Sequence, residues 1–244
     1  MNTDEQLRTF VLIPGAWHGA WVWDGIVAAL CEAGHRAVAV TLDGLEPQPS
    51  PDGAAANLDT HIARVLAVLD ECGPGPITLC AHSYAGLVAA GAADQAGRPI
   101  DRLVFCDAFV PVDGDSWWSL ANENYRNRII AGVRGDGRVV APAPGTDPRR
   151  RPHPVASLLQ QLHLGDGMDR VARRTFIYAS AWAATPFQGQ FERLRADPDW
   201  EVHELAVGHA VYNEAPLDLL AILTDGTPIP AHPGTSRSRP ASAR

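Results

Sequence analysis

Apolar positions along this chain follow two alternating rhythms. Short continuous runs rich in Val, Ile, Leu and Phe read as buried strands: TFVLI ahead of a Pro14-Gly15 turn, RAVAVTL (36–42), ITLCAH (77–82), RLVFC (102–106), RTFIYA (174–179) and WEVHEL (200–205). Between them lie longer segments with apolar residues at helical spacing. AWVWDGIVAALCEAGH (20–35) predicts a helix stopped at Gly34, and ANLDTHIARVLAVLDEC (56–72) a second with Gly73 beyond its end. YAGLVAAGAADQAG (84–97) and EAPLDLLAILT (214–224) predict two more. Six strand-like runs separated by helices predict an α/β domain over residues 1–225, a mostly parallel sheet covered by helices on both faces.

Between residues 112 and 170 the rhythm breaks. DSWWSL, APAPGTDPRRRPHP and SLLQQLHL form a segment too long and proline-rich for a plain connection. Inserted between two strands of an open sheet, it would sit above the strand ends, so it is read as a cap or lid. From residue 226 the chain is rich in Pro and Ser with little to bury, and reads as a disordered tail.

Composition narrows the chemistry. The formal charge of −8 argues against nucleic acid and anionic membrane as partners. All 20 basic residues are arginine, which excludes Schiff-base lysines and the phosphate-loop lysine. Cys31, Cys72, Cys80 and Cys106 follow no metal-ligand spacing, and disulfides are not expected. The opening MNTDEQLRTFVLI lacks the basic start and apolar stretch of a signal peptide, which predicts a cytoplasmic protein. The Ala/Arg/Gly/Pro bias suits a GC-rich bacterial genome. The expected partner is a small molecule, and a homodimer is compatible with the pattern.

The stretch LCAHSYAGLVAA passes from strand to helix through Ser83 without a pause. Such a turn forces its central residue into a strained positive-φ conformation and needs small neighbours two positions away, here Ala81 and Ala85. A serine there is held out of the fold, whereas the plain reading makes Ser83 a helix cap. A nucleophilic serine needs a base, and a base needs orienting. His209 directly follows the last strand and precedes a helix; the other histidines are less favourably placed. An acid is expected after RTFIYA, yet no Asp or Glu occurs from residue 171 to 191. Asp107, ending the strand beside the serine strand, is the candidate instead, against the alternative of an Asp that binds loop amides. Asp113 and Asp115 are fallbacks that look more like turn residues.

With Ser83, Asp107 and His209 in that order, the chain resembles the α/β-hydrolase superfamily. FVLIPGAWHGAWVW (10–23) is similar to the opening of the branch containing plant methylesterases and hydroxynitrile lyases, and DAFVP (107–111) to a stretch in bacterial relatives. The resemblance implies the α/β-hydrolase fold and an oxyanion hole formed by the backbone N–H groups of Ala16 and Tyr84, with no metal or organic cofactor. Trp17 and His18 would border the cavity, His18 as a structural histidine fastening its loop. Pro14 departs from the branch, which has histidine before Gly15. Gly15 and Ala210 stand where the lyases carry threonine and lysine, so cyanohydrin cleavage by that route is not expected.

The resulting expectation is a serine esterase that forms an acyl-enzyme. Trp17, Trp117, Trp118, Trp182 and Phe187 would line a pocket for an apolar or aromatic substrate, unless the tryptophans simply bury the cap. The alternative is a biosynthetic cyclase, lyase or acyltransferase acting on a polyketide-like intermediate. A non-catalytic small-molecule receptor is a third reading, disfavoured by three retained triad members. The run Arg149-Arg150-Arg151 could steer an anionic substrate, although such runs are more often solvated loops.

Overall fold

The computed structural model describes residues 7–48, 53–183 and 185–226. The tail expected from residue 226 lies, past Gly226, outside the described residues. Six strands form one parallel sheet: β1 (Thr9–Ile13), β2 (Arg36–Ala39), β3 (Ile77–His82), β4 (Arg102–Cys106), and two later ones. Helices α1 (Asp24–Glu32), α2 (Leu58–Glu71) and α3 (Ala85–Gln95) connect the first four. Between β4 and the fifth sheet strand lie α4 (Trp117–Leu120), α5 (Glu123–Gly132), the two-residue strands β5 (Val133–Arg134), β6 (Val139–Val140) and β7 (His153–Pro154), and α6 (Val155–Leu159). The sheet resumes with β8 (Arg173–Ala179), α7 (Gln188–Leu194) and β9 (Trp200–Leu205), and the described chain ends with α8 (Val211–Glu214) and α9 (Pro216–Leu223).

The strand order is β2-β1-β3-β4-β8-β9, and every neighbouring pair is parallel. After β1 the chain steps outward to β2 and then returns to the other side of β1, so order reverses between β1 and β3. At such a reversal the loops leaving the two strands diverge and open a crevice at their carboxyl ends. The loop from residue 14 and the turn at Ser83 both leave strands at this crevice.

Alternation along the strands builds two cores. Val11, Ile13, Leu79, Ala81, Leu103 and Phe105 join α2 and α3 on one face. Phe10, Leu12, Cys80, Val104, Ile177 and Ala179 join α1 and α9 on the other. Each fully buried Leu, Ile or Phe stabilises the fold by roughly 1.5–3 kcal/mol. Helix α3 is buried from Ala85 to Ala93, and its Ala/Gly sequence is what lets it approach its neighbours so closely. A methyl on Gly86 would collide with the Phe109 carbonyl, so only glycine permits the loop after β4 to lie against the first turn of α3. Helix α2 starts with a reciprocal cap, Asn57 Oδ1 accepting from Thr60 N at 3.0 Å and Thr60 Oγ1 from Asn57 N at 2.9 Å. Gln160, just after α6, accepts from Leu58 N at 2.8 Å, which ties the inserted segment to the start of α2.

Three elements differ from the sequence expectation. The predicted first helix begins as a 3-10 turn over Ala20–Trp23. Strand β2 stops at Ala39 because it is an edge strand with one neighbour and alternating exposure. The final helix, expected over 214–224, starts at Pro216, which opens α9 because it cannot donate within a continuing helix, and a short helix α8 not expected from sequence precedes it.

Candidate active site

Ser83 has φ 58°, in the left-handed region that a residue with a Cβ enters at a cost of order 1–3 kcal/mol. The cost is borne because both sides are held. His82 ends a strand paired to β1 and β4, and the Ser83 carbonyl accepts from Gly86 N and from Phe109 N, each at 3.2 Å. The loop after β1 closes over this turn. A methyl on Gly15 would come within 2.9 Å of both Ser83 Cβ and His82 Nδ1, so glycine is required for the approach. Among the described residues, the N–H groups of Ala16 and Tyr84 have no acceptor in the protein.

Asp107 follows β4 directly, with φ 43°, a conformation Asp tolerates better than most residues. It is fully buried, and both carboxylate oxygens are occupied. Oδ1 accepts from Ala179 N at 3.1 Å and Oδ2 meets His209 Nδ1 at 2.6 Å. His209 thus reaches across the end of β8 to an acid on β4. The usual acid position at the end of β8 is filled by uncharged Ser180-Ala181-Trp182, and the Trp182 ring lies 4.3 Å from the His209 ring. Burial pushes the Asp107 carboxyl up. Burial, reinforced by the positive charge of Arg150, holds His209 below the usual imidazole value. The low-dielectric setting therefore favours a neutral imidazole at rest, the form able to accept a proton. Among the described residues, no hydrogen bond joins the Ser83 hydroxyl to His209, and Nε2 of His209 has no partner.

His82 supports His209 from behind. Its Nε2 donates to the His209 carbonyl at 2.9 Å, which leaves Nδ1 as a bare acceptor, and its ring centroid lies 4.4 Å from that of His209. Burial, with His209 close by, keeps His82 neutral. Gly208 N donates to Glu214 Oε2 at 2.7 Å, closing the turn that carries His209 into α8.

A second polar group, not anticipated from sequence, fixes the residue after the serine. The Tyr84 hydroxyl donates to His61 Nδ1 at 2.8 Å, since His61 Nε2 is committed to the Asp43 carbonyl at 2.9 Å. Trp17 N donates to His153 Nδ1 at 3.4 Å, so His153 Nε2 carries the proton towards Ser157 Oγ at 2.9 Å, which donates in turn to the Pro154 carbonyl. Burial holds both histidines neutral. The loop after β1 and Tyr84 are therefore both anchored by residues drawn from α2 and from β7–α6.

The aromatic candidates fall into groups. Trp182 and Phe187 flank the His209 ring, Phe187 with its centroid 6.1 Å away. Trp117 is 3 % exposed and packed on Phe109 and Tyr125, a core position within the inserted segment. Trp118 is half-buried with the Arg126 guanidinium 5.8 Å above its ring. Trp17, at φ 65°, sends its indole Nε1–H to the Val140 carbonyl at 3.0 Å. His18 is buried, its Nδ1 has no hydrogen-bond partner among the described residues, and burial lowers it to about 3.

A parallel sheet whose third strand turns through a strained serine into a buried helix, with a histidine–carboxylate pair at the same end, defines an α/β-hydrolase fold. The chain belongs to the alpha/beta hydrolase family, whose model matches residues 10–222, and it is an α/β-fold hydrolase. It is similar to the carbendazim hydrolyzing esterase of Nocardioides sp. (strain SG-4G), 32% identical over 234 residues covering 87% of this chain and 97% of the relative. Alpha-hydroxynitrile lyase of Arabidopsis thaliana is 34% identical over 108 residues, 44% of this chain and 42% of the lyase. Among solved structures, an extracellular alpha/beta-hydrolase from a Paenibacillus species superposes with a TM-score of 0.75 at 18% identity, covering 89% of this chain and 98% of the other. No helix among the described residues is long and apolar enough to cross a membrane.

Proposed function

We propose that the protein is a serine esterase using Ser83, His209 and Asp107, with residues 112–170 as a cap over the site. The observation that carries this reading is the 2.6 Å contact between His209 Nδ1 and the buried Asp107 carboxylate, at the same sheet end as the strained Ser83. Asp107 holds the Nδ1–H tautomer, leaving Nε2 as base. The Ser83 hydroxyl rotates towards Nε2 once substrate fills the crevice, gives up its proton and attacks the ester carbonyl carbon. The oxyanion that forms accepts hydrogen bonds from Ala16 N–H and Tyr84 N–H, the two amides without another acceptor. His209 then passes its Nε2 proton to the departing alcohol oxygen. Water, deprotonated by the same nitrogen, attacks the acyl-Ser83 carbonyl; the acid leaves as Nε2 returns that proton to Ser83 Oγ. Trp182 and Phe187 beside the imidazole favour a substrate with an apolar or aromatic part near the scissile bond, and the esterase named among the relatives supports ester-type chemistry.

The test is covalent labelling. A fluorophosphonate should add its mass to a single peptide containing Ser83, and Ser83→Ala should abolish both the adduct and release of 4-nitrophenol from 4-nitrophenyl hexanoate. An adduct at another residue, or turnover that survives in Ser83→Ala, would overturn the assignment.

A further inference from the structure

Most arginines with a defined ionic role in this molecule face a carboxylate: Arg8, Arg102, Arg149, Arg170, Arg173 and Arg174 each pair with an Asp or Glu. Eleven other described arginines form no ion pair, and three of these share one site. Arg128, Arg134 and Arg150 line one cavity of about 220 Å³ together with Trp17, and no acidic residue lies in its wall. Among the described residues, none of the three forms an ion pair. Arg128 lies 5.5 Å from the Tyr125 ring centroid, and Arg134 donates only to the carbonyls of Ala131 and Val133. Among the described residues the Arg150 side chain has no hydrogen-bond partner, and its Nε is buried. In a chain of net charge −8, three cations without an ion pair around one cavity mark a place where negative charge is favoured, even though Arg150 is also felt by the Asp147 carboxylate outside the cavity wall.

The position links this cavity to the candidate catalytic centre. Arg151 N donates to the Trp17 carbonyl at 3.0 Å, so the arginine turn is fastened to the loop that bears Ala16. Trp17 is both a wall of the cavity and the neighbour of the Ala16 amide. The charge of Arg150 is felt at His18, His82, His209 and Tyr212, which places it within electrostatic reach of the base. At about 220 Å³ the cavity is smaller than a whole-ligand pocket, which is typically about 300–1,000 Å³, and suits one substituent of a larger molecule.

We propose that this cavity is a carboxylate subsite, with Arg150 as its main ligand, and that the natural substrate is an ester bearing an anionic group on the side remote from the scissile bond. The inference rests on the serine esterase reading and narrows its substrate class. A planar guanidinium meets a carboxylate with two parallel hydrogen bonds, and Arg128 or Arg134 adds charge at longer range.

The experiment compares mono(4-nitrophenyl) adipate with 4-nitrophenyl hexanoate, which match in chain length and differ in the terminal carboxylate. For the wild type, kcat/KM corrected for spontaneous hydrolysis should favour the adipate ester by about tenfold or more, the usual weight of a charge-assisted hydrogen bond. In Arg150→Gln the ratio should fall towards unity, and Arg150→Lys should restore part of it. If Arg150→Gln does not fold, Arg128→Gln gives the same readout with a smaller decrease. Free adipate should inhibit wild-type hexanoate hydrolysis competitively, and equimolar inorganic phosphate should inhibit less. Equal rates for the two esters, or a preference unchanged in Arg150→Gln, would overturn the subsite. Failure of the esterase reading is separable, because calorimetric titration of Ser83→Ala with adipate needs no turnover. Heat of binding that disappears on adding Arg150→Gln supports the subsite, and its absence from Ser83→Ala overturns it.

Discussion

Asp107 sits at a conformation few residues accept, with each carboxylate oxygen committed to a different partner. Asp107→Asn separates those commitments. Asn tolerates the same φ, and its carbonyl oxygen can still accept from Ala179 N, so the fold should hold. Its NH₂ group, however, would donate to His209 Nδ1 and drive the imidazole proton onto Nε2, the nitrogen that must accept the serine proton. We expect kcat for ester hydrolysis to fall by about 10³–10⁴-fold while the thermal midpoint moves little. Turnover close to wild type would show that Asp107 does not orient the base. Ser83, His209 and Asp107 were legible in the sequence as candidates because each follows a strand whose apolar run can be read directly. His61, His153, Ser157 and Arg150 were not. Each enters the site through packing between segments far apart in the chain, which periodicity does not encode. The clue to Arg150 was its place in an arginine run, and nothing in that run distinguishes an arginine stacked on Trp21, as Arg149 is at 3.9 Å, from one lining a cavity.

At the scale of elements, the strand-to-helix turn depends on a glycine that motif reading passes over. Ala81 and Ala85 satisfy the small-neighbour rule for the turn itself, but the tight contact is made one residue later, where Gly86 meets the Phe109 backbone. Gly86→Ala would ordinarily favour a helix by about 1 kcal/mol, yet here the added methyl must displace the loop that follows Asp107. A net destabilisation of about 1–3 kcal/mol is expected, read as a lowered denaturant midpoint, with a larger fractional loss of activity than of stability. A more stable Gly86→Ala variant would show that the loop yields freely. The order of strands and helices was plain in the hydrophobic pattern, whereas the ends of β2 and α9 were set by sheet-edge position and by one proline.

The whole molecule is also held at the sheet end opposite the crevice. Arg102, with a side chain only 3 % exposed, donates to Thr175 Oγ1 at 2.9 Å and pairs with Glu201 and Asp225 at 3.1 Å each. Asp225, at φ 57°, also receives Arg8 and Arg173, so one carboxylate joins β1, β4 and β8 to the end of α9. These guanidinium groups hold its carboxyl well below the usual range despite the opposing effect of burial. Because the folded value is depressed, this contribution is complete above the unfolded carboxylate value of about 4 and is lost as pH falls through the lower folded one. Asp225→Asn keeps the backbone conformation and removes the charge. We expect it to lower stability near pH 7 by about 2 kcal/mol, and the gap to the wild type to close progressively below about pH 4. A gap independent of pH would show that charge at Asp225 contributes nothing. The loop after β1, at the other end, is stitched to the inserted segment by Trp17 through its amide, its indole and its carbonyl, to His153, Val140 and Arg151. A segment that swings away must break these three links or drag the Ala16 amide with it. Under the proposed mechanism, breathing that admits a molecule thereby disarms the anion-stabilising amides, and bond cleavage is confined to the interval in which the entrance is shut.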